Sequence, residues 1–210
     1  MRDAAHPLRA RTQRFARASL GTVVVVALLW GCAAAERPTR QTALTVRSLY
    51  PLQKGNAWSY DVDTGDGTAI LAITRVTAVR GNVVEVVTGE TPSNYELRPD
   101  GIWRVERGAY LLRAPIAVGE SWPSGGGLTA TIARTGISVE TTAGHFDRCV
   151  EIREDGTTTG GTIHTTYCPE VGPVLVRTAT ALSHTTVKVE ARLRGYAVAR
   201  HAGNGSSATE

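Results

Sequence analysis

Residues 186–196 read TVKVEARLRGY. Val187, Val189, Ala191 and Leu193 alternate with Lys188, Glu190, Arg192 and Arg194, a period of two that sends apolar side chains to one face and charged ones to the other. This is the pattern of an antiparallel strand with one wet face. Moving back along the chain, PVLVRTATA (173–181), TIHTTYC (162–168), FDRCVEIRE (146–154), ISVETT (137–142) and LTATIAR (128–134) read as further strands. Nearer the amino terminus, Trp58, Tyr60 and Val62 alternate with Ser59, Asp61 and Asp63, and TGDG (64–67) turns the chain into TAILAITRV (68–76). Arg80-Gly81-Asn82 leads into VVEVV, and NYELR returns through Pro99-Asp100-Gly101 to IWRVER, with turn residues that supply fixed or positive φ. No internal window of ~11 residues sustains helical spacing. The expected fold is all-β, an antiparallel meander forming a strongly curved sheet or a partly open barrel.

Register gives this reading a second consequence. If Thr158 and Thr159 form the tip of the hairpin between 146–154 and 162–168, Cys149 faces Cys168, Val150 faces Tyr167 and Ile152 faces Thr165. Cysteines directly opposite on neighbouring strands are close enough to bridge, closing a loop of 20 residues, the alternative being two buried thiols.

The phrase Pro51-Leu-Gln-Lys-Gly55-Asn-Ala-Trp58 recurs 64 residues later as Pro115-Ile-Ala-Val-Gly119-Glu-Ser-Trp122. Pro ends the preceding segment, Gly permits a tight turn, and Trp opens the next strand with a large apolar anchor. It resembles a phrase found in uncharacterised bacterial lipoproteins and secreted β proteins. Duplication of a half-domain and one turn problem solved twice both account for it.

The amino terminus has the three parts of an export signal. Arg2, Arg9, Arg11, Arg14 and Arg17 face the single acid Asp3, and Leu20–Trp30 form an apolar run of 11 residues, about half of the ~20 that a stable membrane span needs. The following Leu28-Leu29-Trp30-Gly31-Cys32 resembles the lipobox of bacterial lipoproteins, with Trp30 standing where the pattern has a small residue. The resemblance implies a diacylglycerol thioether on Cys32, cleavage before it and acylation of the new terminus. An ordinary signal peptide cut at 33–35 is the alternative. Lipidation of Cys32 leaves Cys149 and Cys168 as a pair, as an oxidising compartment favours. The organisation expected is a signal peptide over 1–31, a lipid-anchored tether over 32–46, one β domain over 47–201 and a disordered tail over 202–210. Ala33 after the lipobox cysteine, in place of an aspartate, points to an outer-membrane periplasmic face or the cell surface.

Removing the signal also removes the apparent basicity. The whole chain carries a formal charge of +4, but five of its 23 basic and one of its 19 acidic residues precede Cys32, leaving 18 of each. A neutral body without a basic stripe gives nucleic acid little to bind.

Catalytic chemistry leaves little trace. No G-x-S-x-G, H-E-x-x-H or Walker A motif occurs. His145, His164 and His184, spaced 19 and 20 apart, lack clustered carboxylates or thiolates and read as solvated rather than metal-binding. Asp61, Asp63 and Asp66 with Gly65 and Gly67 read as turn formers, their spacing failing that of a calcium loop. No cofactor and no enzymatic activity are expected. Trp58, Tyr60, Trp103 and Tyr110 are candidates to line an apolar cavity if the sheet encloses one, and otherwise fill the core. The expected function is that of a non-catalytic envelope lipoprotein, held in the membrane through Cys32, whose domain binds or scaffolds a partner. Two alternatives stand beside it: a carrier of an apolar ligand or lipid in an open barrel, similar in architecture to bacterial lipoprotein carriers, and a hydrolase whose site is dispersed along the sequence.

Overall fold

The computed structural model describes residues 44–156, 161–182 and 185–199. The expected signal peptide, Cys32, most of the tether, the tail, Thr158, Thr159 and His184 lie outside the described residues.

A four-residue helix, α1 (Val46–Leu49), precedes twelve strands: β1 (Ala57–Asp63), β2 (Ala69–Arg80), β3 (Val83–Thr88), β4 (Thr91–Arg98), β5 (Gly101–Arg104), β6 (Ala109–Arg113), β7 (Ser121–Gly125), β8 (Leu128–Thr141), β9 (Gly144–Asp155), β10 (Gly161–Cys168), β11 (Gly172–Leu182) and β12 (Thr185–Ala197). They form one antiparallel sheet in the order β6-β5-β4-β3-β2-β1-β12-β11-β10-β9-β8-β7. The expected all-β meander is thus observed, as two six-strand halves joined where β1 pairs with β12. The sheet curls into a nearly closed barrel whose unsealed seam lies between β6 and β7. Trp122 Nε1 donates to the Tyr110 carbonyl across it at 3.1 Å, and Gly125 brings β7 against Arg107 and Ala109 so closely that a Cβ would lie 3.0–3.2 Å from them. The edge strands at the seam are short, and Pro123 removes a donor from one of them, both features that blunt an edge against stray pairing.

The repeated phrase opens each half and builds the same turn. Gln53 N donates to Pro51 O, Asn56 N to Gln53 O and Gly55 N to Val76 O, with Val76 N returning to Asn56 O. In the second copy, Ala117 N donates to Pro115 O, Glu120 N to Ala117 O and Gly119 N to Ile132 O, with Ile132 N returning to Glu120 O. Gly55 and Gly119 sit at φ +90° and +92°, where a side chain would be strained, so the two glycines are set by backbone geometry. Both tryptophans then enter the core, 1% and 3% exposed.

Turns alternate ends in a meander. α1 therefore shares one end of the barrel with the turns between β2 and β3, β4 and β5, and β10 and β11, and Glu170 N of the last turn donates to Ser48 O of α1 at 2.7 Å. Thr45 caps the helix reciprocally with Ser48. Val46, Leu49, Tyr50 and Leu52 are buried and plug this end, and Leu44 packs beside them.

Three details depart from the sequence reading. The segments 128–134 and 137–142 are one strand, β8, bent by three register shifts and by Gly136 at φ +70° instead of broken by a turn. The bend lays the β8–β9 hairpin over the outside of the sheet: Ala143 N donates to Leu193 O, and Phe146 stacks on Tyr196 at 5.9 Å. Leu175 is consequently buried although its neighbour Val174 faces the opposite side and is buried too. On β12 the expected alternation holds, but burial fades from Leu193 (0% exposed) to Val187 (40%) as the strand leaves the packed end. Gly101, finally, is not at positive φ; a Cβ there would strike the Tyr110 ring and the Leu112 carbonyl, so the glycine serves a close approach.

Candidate functional site

Twelve strands enclose more space than one layer of side chains fills. The plugged end is solid with apolar side chains, but nearer the middle the inward-facing rows become polar. Tyr50, Tyr60, Tyr95 and Tyr167 converge there, with the Tyr50 ring 6.3 Å from Tyr95 and 6.0 Å from Tyr167. Beyond them Arg104 of β5 meets Glu154 of β9 across the lumen at 3.6 Å, the two side chains 17% and 6% exposed. Among the described residues, Glu154 Oε1 and the Ser124 hydroxyl are buried without a hydrogen-bond partner.

On the β1–β4 and β11–β12 side of this strut remains a cavity of about 250 Å³. Its apolar wall includes Ala72, Val86, Val176 and Ala191; its polar wall is Tyr50, Tyr60, Tyr95, Thr74, Thr88 and Ser93. Tyr60 is committed, donating to Pro173 O at 3.0 Å, and the Thr74 and Thr88 hydroxyls bond one another at 3.0 Å. Among the described residues, the hydroxyls of Tyr50, Tyr95 and Ser93 make no hydrogen bond to protein. Burial raises the pKa of Tyr50, Tyr60, Tyr95 and Tyr167 above the usual phenol value, so all four remain neutral O–H groups. Toward the far end the inward rows continue as Val62 and Ile70, paired with one another, and as Val189 and Val187. Ile70 is 51% exposed, so that among the described residues the end opposite α1 carries an apolar rim.

The four aromatic residues singled out from sequence divide between two places. Trp58 is packed in the core, its Nε1 donating to Val171 O at 2.6 Å, and Tyr60 lines the cavity. Trp103 and Tyr110 stack edge to face at 5.0 Å on the opposite face from Ile102, so they do not line the lumen. Arg98 lies 4.0 Å over Trp103, Arg113 lies 5.3 Å from the Tyr110 ring, and Tyr110 donates to Asp100. The residues that sequence reasoning missed left a signal. In IWRVER alternation puts Arg104 on the row of Ile102, and in CVEIRE it puts Glu154 on the row of Val150 and Ile152. An opposite charge on the inward row of each of two distant strands, alone among apolar residues in the case of Glu154, is the trace of a contact across the lumen.

Cys149 and Cys168 are joined, and the ladder pairs Val150 with Tyr167 and Ile152 with Thr165, the register expected. His145 bonds Asp147 at 3.1 Å and His164 faces Glu151 at 3.4 Å. His164 pairs with Arg153, eight residues from His145 along β9, a separation of roughly 25 Å at ~3.3 Å per residue. Among the described residues no group of three metal-ligating side chains occurs. A larger depression of about 610 Å³ crosses β10–β12 beside Gly65, where Arg177 pairs with Glu190.

No protein-family model and no curated protein matches the sequence. Two solved structures are similar to the chain. A putative exported protein with a YmcC-like fold from Bacteroides fragilis is 14% identical, with 70% of this chain and 98% of that chain covered and a TM-score of 0.45. A putative lipoprotein from Parabacteroides distasonis is 15% identical, covering 73% and 100%, with a TM-score of 0.42.

Proposed function

We propose that this chain is an exported lipoprotein, anchored through Cys32, whose barrel binds a small, largely apolar ligand without transforming it. The carrying observation is the cavity of about 250 Å³ between β1–β4 and β11–β12, with uncommitted hydroxyls at its wall and an apolar rim above it. Of the readings open at the level of sequence, this favours the ligand carrier over the pure scaffold, because a recess backed by apolar side chains with uncommitted hydroxyls on its wall is what a small ligand uses and a scaffold does not need. The one helix described lies at the plugged end, so the mouth is left uncovered by it.

The test is saturable binding of an apolar fluorescent probe such as N-phenyl-1-naphthylamine to the mature protein. Wild type is expected to bind it, and Ala191→Trp, which fills the cavity from β12, to lose it while keeping its β circular dichroism. Absence of saturable binding to wild type, or undiminished binding by the filled variant, would overturn the reading. Mass spectrometry of the native protein tests the anchor independently: a diacylglycerol adduct on Cys32 is expected, and an unmodified terminus beginning after Cys32 refutes it.

A further inference from the structure

Resting on that reading, the geometry points to a single-chain amphiphile with an uncharged, hydroxyl-bearing head, of the monoacylglycerol or long-chain alcohol class, held with its head toward Tyr50 and its chain toward Ile70 and Val187. Charge argues first. The residues lining the cavity include no ionisable group other than phenols, and the nearest guanidinium, Arg104, is already paired with Glu154. A carboxylate or phosphate placed there would be desolvated without a counter-charge, and an ammonium would fare no better.

Hydrogen bonding argues next. Three hydroxyls, those of Tyr50, Tyr95 and Ser93, face this space without protein partners among the described residues, while Tyr60, Thr74 and Thr88 are committed. A pure hydrocarbon would bury the three hydroxyls unpaired, whereas a glycerol or alcohol head can both donate to them and accept from them. The phenols stay protonated through burial, which keeps their donor capacity constant over the physiological range. Space and polarity set the rest. A cavity of about 250 Å³ lies just below the usual range of small-ligand pockets, ~300–1,000 Å³, and suits one narrow head and chain more than two chains. Tyr50 follows α1 above the plug and Tyr95 lies beside it, while Ser93 and Thr88 border the β3–β4 turn. Along the longer β1–β2 and β11–β12 wall Ala72, Val176, Ala191 and Val62 continue into Val189 and Val187, so a head held at the two phenols leaves its chain along that wall.

The experiment is displacement of N-phenyl-1-naphthylamine from the delipidated mature protein at pH 8, each competitor below its aggregation concentration. The competitors are 1-decanoylglycerol, decanoate, dioctanoyl phosphatidylcholine and glycerol. 1-Decanoylglycerol is expected to compete at least ~10-fold better than the other three, about the difference made by one well-formed hydrogen bond in a buried site. Tyr50→Phe with Tyr95→Phe is expected to abolish this preference while probe binding persists; Tyr95→Phe alone is the second variant should the double variant unfold. Failure of wild type to bind the probe defeats the ligand-binding reading itself. Probe binding with equal competition by decanoate, by the two-chain lipid or by glycerol, or a preference surviving the loss of the phenols, overturns this inference alone.

Discussion

Trp58 and Gly172 make a contact whose energetics can be worked from the structure. The indole Nε1 donates to Val171 O at 2.6 Å, and the next residue, Gly172, sits at φ +111° with the position of a Cβ only 3.0 Å from that same nitrogen. Gly172→Ala imposes two costs. Backbone strain at such a φ is about 1–3 kcal/mol. Displacing the indole leaves the buried Val171 carbonyl unpaired, about 1–3 kcal/mol more. Trp58→Phe loses the same hydrogen bond and some packing volume, together about 2–4 kcal/mol. In the double variant the hydrogen bond can be lost only once. The pair is therefore expected to be less destabilised than the sum of the single variants by about 1–2 kcal/mol. Urea unfolding followed by far-ultraviolet circular dichroism measures all four proteins, since Trp58 is itself a fluorophore. Agreement with the sum to within ~0.5 kcal/mol would show that Gly172 is not there to make room for the indole.

Two further outcomes follow from the strand pairing and the outer-face charges. Replacing both cysteines in Cys149→Ser/Cys168→Ser opens a loop with a sequence separation of 19, expected to cost about 3 kcal/mol through the unfolded chain and to lower Tm by about 6–12 °C; a Tm unchanged within error would contradict it. Acid should also weaken the fold. Burial raises the Glu151 and Glu190 carboxyls, but hydrogen bonds from Arg134 and His164 to the first, and from Arg177 and Arg192 to the second, outweigh it and hold both below the ordinary 4.5. A depressed folded pKa contributes stability that is complete above the unfolded value and is lost as pH falls through the folded one. Unfolding free energy measured by urea is expected to decline from about pH 4.5 downward, less steeply in Glu151→Gln; a flat profile between pH 5 and 3 would refute the assignment.

Much of the fold was legible because strand alternation and turn chemistry are local. The row from Val187 to Leu193, the TGDG turn and the Arg80-Gly81-Asn82 turn all act within a few residues, and the register of β9 on β10 follows from one hairpin tip. β6 was missed as a strand, since AYLLR at 109–113 is apolar at nearly every position and shows no alternation. The break expected near Gly136 was a bulge, because a glycine at positive φ serves either a turn or a bent strand. The site was legible only in part. Tyr60 was named for its place on β1, but Tyr50, Tyr95 and the Arg104–Glu154 pair come from elements far apart in the chain.

The sequence by itself determined that the chain is a series of antiparallel strands, that Cys149 and Cys168 face one another, and that Pro51–Trp58 and Pro115–Trp122 perform the same local task. Each depends on backbone periodicity or on neighbours within one hairpin. Tertiary structure decided which side of each strand looks into the lumen and what meets there. Trp103 and Tyr110 went outward, and four tyrosines went inward. Whether twelve strands leave room among them depends on how far the sheet curls and on how much of the lumen the α1 segment fills. Curvature and plugging are sums over the whole sheet, set by bulges on β8, β11 and β12 and by a seam that no single strand encodes.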